Sequence, residues 1–87
     1  MVFVTAGIAS LPIEDRAAIM ARVRSFDEFT PDNDPYGEHD FGAFDHQRHR
    51  IFWKIGAYDR DLRFGSPDPA DQAMTRLVLT IMLAQEY

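Results

Sequence analysis

Eighty-seven residues, 46% of them apolar and 13% aromatic, suffice for one small domain with a single core. The absence of cysteine removes disulfides and thiolate metal sites, and a net charge of -5, from 14 acidic and 9 basic residues, argues against nucleic-acid binding by phosphate neutralisation and for a basic partner. The opening MVFVTAGIAS has neither the charged start nor the long apolar core of a secretory signal, and no apolar run reaches the roughly 20 residues that span a bilayer, so a soluble, cytoplasmic protein is expected.

In chain order, Val2-Phe3-Val4 is a candidate short strand, broken soon by Thr5-Ala6-Gly7. A helix is predicted from about Ser10 to Pro12 onward. Ser10 suits its N-cap, Pro12 its first turn, and Glu14 and Asp15 the positive end of its dipole. Ile13, Ala17 and Met20 form one stripe and Ile19, Val23 and Phe26 an adjacent one, giving a broad apolar face that ends before Pro31. Asp40 to His46 and Arg50 to Asp59 alternate as half-buried strands do, with Gln47-Arg48 as the turn between them. Ile51, Trp53, Ile55 and Ala57 then share the core face, and Leu62-Arg63-Phe64 is a candidate third strand.

Asp68 as N-cap and Pro69 at the first helical position predict a second helix running to about Gln85, with Met74, Leu77, Val78, Ile81 and Met82 on its main face. A helix this apolar is either a core element or a self-association surface, so a homodimer is one reading of it. The expected fold is one α+β domain over residues 1–87, with two helices on one face of a small antiparallel sheet of about three strands.

Charge is segregated along the chain. From Ser25 to Gln47 there are seven acids, Asp27, Glu28, Asp32, Asp34, Glu38, Asp40 and Asp45, and no Lys or Arg. Between Arg48 and Arg63 the balance reverses, with Arg48, Arg50, Lys54, Arg60 and Arg63 against Asp59 and Asp61. Within the acidic run, Asp32 to Asp40 resembles the start of a calcium loop, with Asp at the first, third and ninth positions and Gly at the sixth. Tyr36 and Ala43 occupy the positions of two required oxygen ligands, and a strand follows in place of an exiting helix, so no metal is assigned. A turn-rich loop whose Asp and Asn side chains cap local backbone is the plainer reading. His39, His46 and His49 are not brought together by spacing, and no nucleophile stands beside a base. A binding module without cofactor is expected in preference to an enzyme. On composition alone, the acidic run serves equally as a solubilising face and as an interaction surface.

The stretch FTPDNDPYGEHDFG, followed by RIFWKI, YDRDL, GSPDPAD and TRLVLTIMLAQEY, closely resembles a bacterial family of unknown function associated with plasmids and other mobile elements. In that family an additional segment often precedes the residues at which this sequence opens. The resemblance extends to small anti-CRISPR proteins and implies an inhibitor whose carboxylates take the place of DNA phosphates on the basic surface of a CRISPR effector complex. On that reading the partner-binding residues are Asp32, Asp34, Tyr36, Glu38, Asp40, Phe44 and Asp45, with Tyr36 and Phe44 as apolar anchors. The alternatives are an anti-restriction or other regulatory protein using the same surface, and a small metal-dependent enzyme using Asp32, Asp34, Glu38 and His39.

Overall fold

The computed structural model describes residues 1–31, 34 and 37–87. The chain forms strand β1 (Val2–Val4), a one-turn helix α1 (Ala6–Ala9), helix α2 (Ile13–Arg24), strands β2 (Phe41–His46), β3 (His49–Tyr58) and β4 (Arg76–Leu83), and a closing 3-10 turn (Ala84–Glu86). The class is α+β, as expected, but the sheet is four-stranded and mixed, in the order β1-β4-β3-β2. β1 runs parallel to β4, whereas β2 with β3 and β3 with β4 are antiparallel.

The hairpin follows from alternation in the sequence. Phe44 opposes Ile51 and Gly42 opposes Trp53, so both pairs lie on one face. Gln47 takes φ 53°, the left-handed backbone that a two-residue hairpin turn uses. The helices cover this face. Ile8 of α1 and Ile19 of α2 meet Phe44, Ile51, Trp53, Ile81 and Leu83 in one core cluster, with Met20, Val23, Phe26 and Phe29 packed around it. Ile8, Ile19, Ile51 and Ile81 are fully buried, and each such burial contributes about 1.5–3 kcal/mol. On the opposite face Tyr87 lies edge-on to Phe41 and Phe52, with ring centroids 6.2 and 5.6 Å away.

Four expectations are corrected. The second predicted helix is not one: residues 69–75 turn repeatedly, and Arg76–Leu83 form the strand between β1 and β3. A near-continuous apolar run carries no period, so Leu77 to Leu83 reads equally as helix or interior strand. The β-branched Val78, Thr80 and Ile81 favour the strand. Asp68, taken for the helix cap, makes a local turn instead, its Oδ1 accepting from Ala70 N–H at 3.2 Å, and Asp71 Oδ1 likewise accepts from Ala73 N–H at 2.9 Å.

Leu62–Phe64 is not a strand either. Leu62 adopts φ 60°, and the backbone N–H of Arg63 donates to the Asp59 carboxylate at 3.0 Å, closing a turn held by a single bridge between Tyr58 and Gly65. Ser10, expected to cap α2, finishes α1 by donating its hydroxyl to the Gly7 carbonyl at 2.9 Å, and α2 begins behind Pro12 without a side-chain cap. Ile13, placed on the apolar face of the helix, is 67% exposed, and the residues α2 gives to the apolar core begin at Ile19. Among the described residues no helix is long and apolar enough to cross a membrane.

Candidate partner-binding surface

The acidic segment is held at both ends. After α2, Phe26 lies edge-on to Trp53 (5.4 Å, 77°), and Phe29 lies edge-on to Phe26 (5.1 Å, 76°). His39 stacks flat on Phe29 at 4.0 Å and 8°, so the far end of the loop returns to the same aromatic anchor. Ile55 N–H then donates to the Asp40 carbonyl at 2.8 Å, continuing the β2–β3 ladder one residue outward.

Asp34 organises the turn between these ends. Its Oδ1 accepts from Glu38 N–H at 3.0 Å and His39 N–H at 3.2 Å, while His39 Nε2 lies 3.2 Å from its Oδ2. Gly37 and His39, at φ 64° and 54°, supply the left-handed backbone that brings these N–H groups round to one carboxylate. Glycine reaches that region without strain, and a non-glycine residue is held there by its contacts. With 8% of its side chain exposed, Asp34 shapes the loop and is not displayed, unlike the outward role expected for it.

Among the described residues of the acidic segment, the exposed carboxylates are Asp27, Glu28, Glu38, Asp40 and Asp45. Glu38 is pushed above the ordinary carboxylate value of 4.5, first by its side-chain hydrogen bond with Asp40 and then by the negative charge of Asp40, with smaller contributions from burial and Asp34. Asp45 stands on the edge strand, 70% exposed, with Arg50 Nη1 across the ladder at 3.3 Å. Exposed pairs of this kind hold little net energy, so Asp45 is available to a competing cation.

The apolar anchor expected at Phe44 is corrected. Its ring is 3% exposed, sealed between the Arg22 guanidinium (4.7 Å to the ring centroid) and the core, because even-numbered residues of β2 face the helices. Asp32 and Tyr36, also expected at the surface, lie outside the described residues. The histidines go separate ways: His39 to Asp34 and Phe29, His46 to Asp15 with Nε2 2.9 Å from Oδ1, and His49 opposite His46 at the hairpin end. Among the described residues no three His, Cys, Asp or Glu side chains gather into a group able to hold a metal.

Two polar residues join distant elements without a clear mark in the sequence. Asp15 accepts from Gln47 Nε2 at 3.0 Å as well as meeting His46, tying α2 to the hairpin turn. Glu86 accepts from Thr5 Oγ1 at 2.5 Å and from the N–H groups of Gly7 and Leu83, both at 3.0 Å, tying the end of the sheet to the start of α1. Asp15 reads in the sequence as a first-turn helix acid, and nothing in the sequence marks Glu86. A long-range partner leaves no spacing signal in a single chain.

A shallow hollow of about 230 Å³ on the face away from the helices, lined by Phe3, Tyr58, Leu62, Val78 and Thr80, is lined by none of the carboxylates named above.

Fold and surface together define a small α+β domain that displays carboxylates along one rim of its sheet. The chain belongs to the family described as protein of unknown function (DUF3768), whose model matches residues 4–86. No curated protein and no solved structure is significantly similar to it.

Proposed function

We propose that this protein is an inhibitory binding module of a mobile element, that its acidic rim occupies a basic DNA-binding surface, and that the surface belongs to a CRISPR surveillance complex. The observation that carries the acidic-rim reading is the exposure of Glu38, Asp40 and Asp45 along a segment, residues 25–47, that includes no Lys or Arg. Like charges held side by side repel, and a cationic partner relieves that repulsion on docking. The choice of a CRISPR complex rests on the family resemblance drawn from the sequence.

The reading is of a binder and not a catalyst, acting by DNA mimicry. Duplex DNA carries about one charge per 1.7 Å of axis, so this rim stands in for only a short length of backbone. Glu38, Asp40 and Asp45 are the contacts proposed among the described residues, and Asp32 and Tyr36 are proposed as further contacts from the sequence alone; Asp34 acts through the loop it shapes.

The test is a triple reversal, Glu38→Lys, Asp40→Lys and Asp45→Lys, compared with the unaltered chain for capture of purified CRISPR complexes and for competition with target DNA in gel shifts. The unaltered chain should displace DNA, and displacement should weaken steeply as salt rises. Equal displacement by both chains would overturn the acidic-rim reading. Failure to bind any CRISPR complex, combined with charge-dependent binding to a restriction enzyme, would overturn the choice of partner alone.

A further inference from the structure

The rim opposite the acidic loop is strand β1, which has no strand on its outer side among the described residues. Thr5 N–H donates to the Ile81 carbonyl at 3.1 Å and Leu79 N–H to the Met1 carbonyl at 2.9 Å. In a parallel ladder this alternation turns the odd-numbered residues of β1 towards β4 and points the backbone N–H and C=O groups of Val2 and Val4 away from the sheet. Such edges are usually guarded by charge, proline or a bulge. Here no charged side chain occurs before Glu14, and Val2, Phe3 and Val4 are 50%, 50% and 43% exposed.

The exposed apolar surface continues inward from that edge. The register places Val2 and Val4 on the same face as Leu77, Leu79 and Ile55, where Leu77 is 61% and Ile55 37% exposed.

We propose that β1 pairs antiparallel with β1 of a second copy about a twofold axis, doubling the four-stranded sheet into one continuous sheet. Val2 and Val4 exchange backbone hydrogen bonds across the axis, and the valine faces of the two copies adjoin. A twofold edge pairing is self-complementary, and the uncharged side chains of this edge bring no repulsion to it. The two β2 rims then stand seven strand spacings apart, about 34 Å, and neither is covered.

Sedimentation equilibrium of the 87-residue chain, combined with amide hydrogen exchange, tests this. Over about 10–200 µM the mass should move from 10.0 kDa towards twice that value. Exchange at the Val4 amide should slow by about tenfold or more over the same range, while the Phe3 amide, already turned to β4, changes little. Val2→Lys combined with Val4→Lys should hold the mass at 10.0 kDa with an unchanged far-ultraviolet spectrum, and Val4→Pro, which removes one outward N–H, should weaken the dimer independently. A single 10.0 kDa species at every concentration would overturn the proposal, as would a dimer in which the Val4 amide exchanges at its monomer rate. The exchange readout decides even if the lysine variant fails to fold.

Discussion

The indole of Trp53 lies across Gly42, its partner on the neighbouring strand, so closely that a Cβ at position 42 would collide with the ring nitrogen and the adjoining carbons. The ring is the platform on which Phe26 and Phe29 rest, and through them the start of the acidic loop. Gly42→Ala should therefore cost about 1–3 kcal/mol in urea denaturation, as overpacking a rigid core does. In a Trp53→Phe background the same substitution should cost measurably less, because the atoms that clash are absent. Equal costs in the two backgrounds would show that the glycine is required for some other reason.

Glu86 is held below the ordinary carboxylate value of 4.5, first by the Thr5 hydroxyl and then by the Leu83 and Gly7 N–H groups. A carboxylate whose pKa is depressed on folding stabilises the fold above its unfolded value and ceases to do so as pH falls through its folded value. Thermal melts of the unaltered chain and Glu86→Gln should thus differ at pH 7 and converge as the pH falls below 4.5 and through the depressed folded value. A difference that persists undiminished in acid would remove the charge from the account.

For Glu38 the sign is opposite. Its pKa is raised by Asp40, so the proton is bound more tightly in the folded chain, and the stabilisation present in acid is lost as pH rises through the folded value. Carbon-detected titration should place Glu38 above 4.5 and return it towards that value in Asp40→Asn. An unchanged midpoint in that variant would mean that Asp40 is not the cause.

Asp34→Ala removes the acceptor shared by the Glu38 and His39 N–H groups. Its effect should be local: amide exchange at Glu38 and His39 should accelerate by about tenfold or more, while the core amides of Ile51 and Trp53 stay protected. His39→Ala should act on the same loop by removing the ring stacked on Phe29. General loss of protection would make Asp34 a residue of the whole fold.

The parts legible in the sequence are those whose pattern is local. The β2–β3 hairpin shows in its alternation and turn, and α2 in its apolar stripes, because period 2 and period 3.6 differ wherever polar residues interrupt the run. β4 was illegible for the same reason: Leu77 to Leu83 is interrupted only by Thr80, so no period could choose between helix and interior strand. α1 is too short to show a stripe, and its closure depends on Glu86, 79 residues from Gly7. At the candidate site, Glu38, Asp40 and Asp45 are exposed as their neighbourhood suggested. Phe44 and Asp34 differ because strand register buries one and three contacts from the loop enclose the other.

The place of β4 also bears on how the chain acquires its structure. It is the last strand in sequence and a middle strand of the sheet, and it joins β1 across a separation as long as that from Val2 to Leu79. On a ribosome, everything before Arg76 emerges without the strand that connects β1 to the hairpin, so the nascent chain carries two unpaired apolar edges until nearly the end of these residues. Contacts of such sequence separation close slowly. For this fold the interval before β4 arrives is the period of greatest exposure to aggregation and to chaperones.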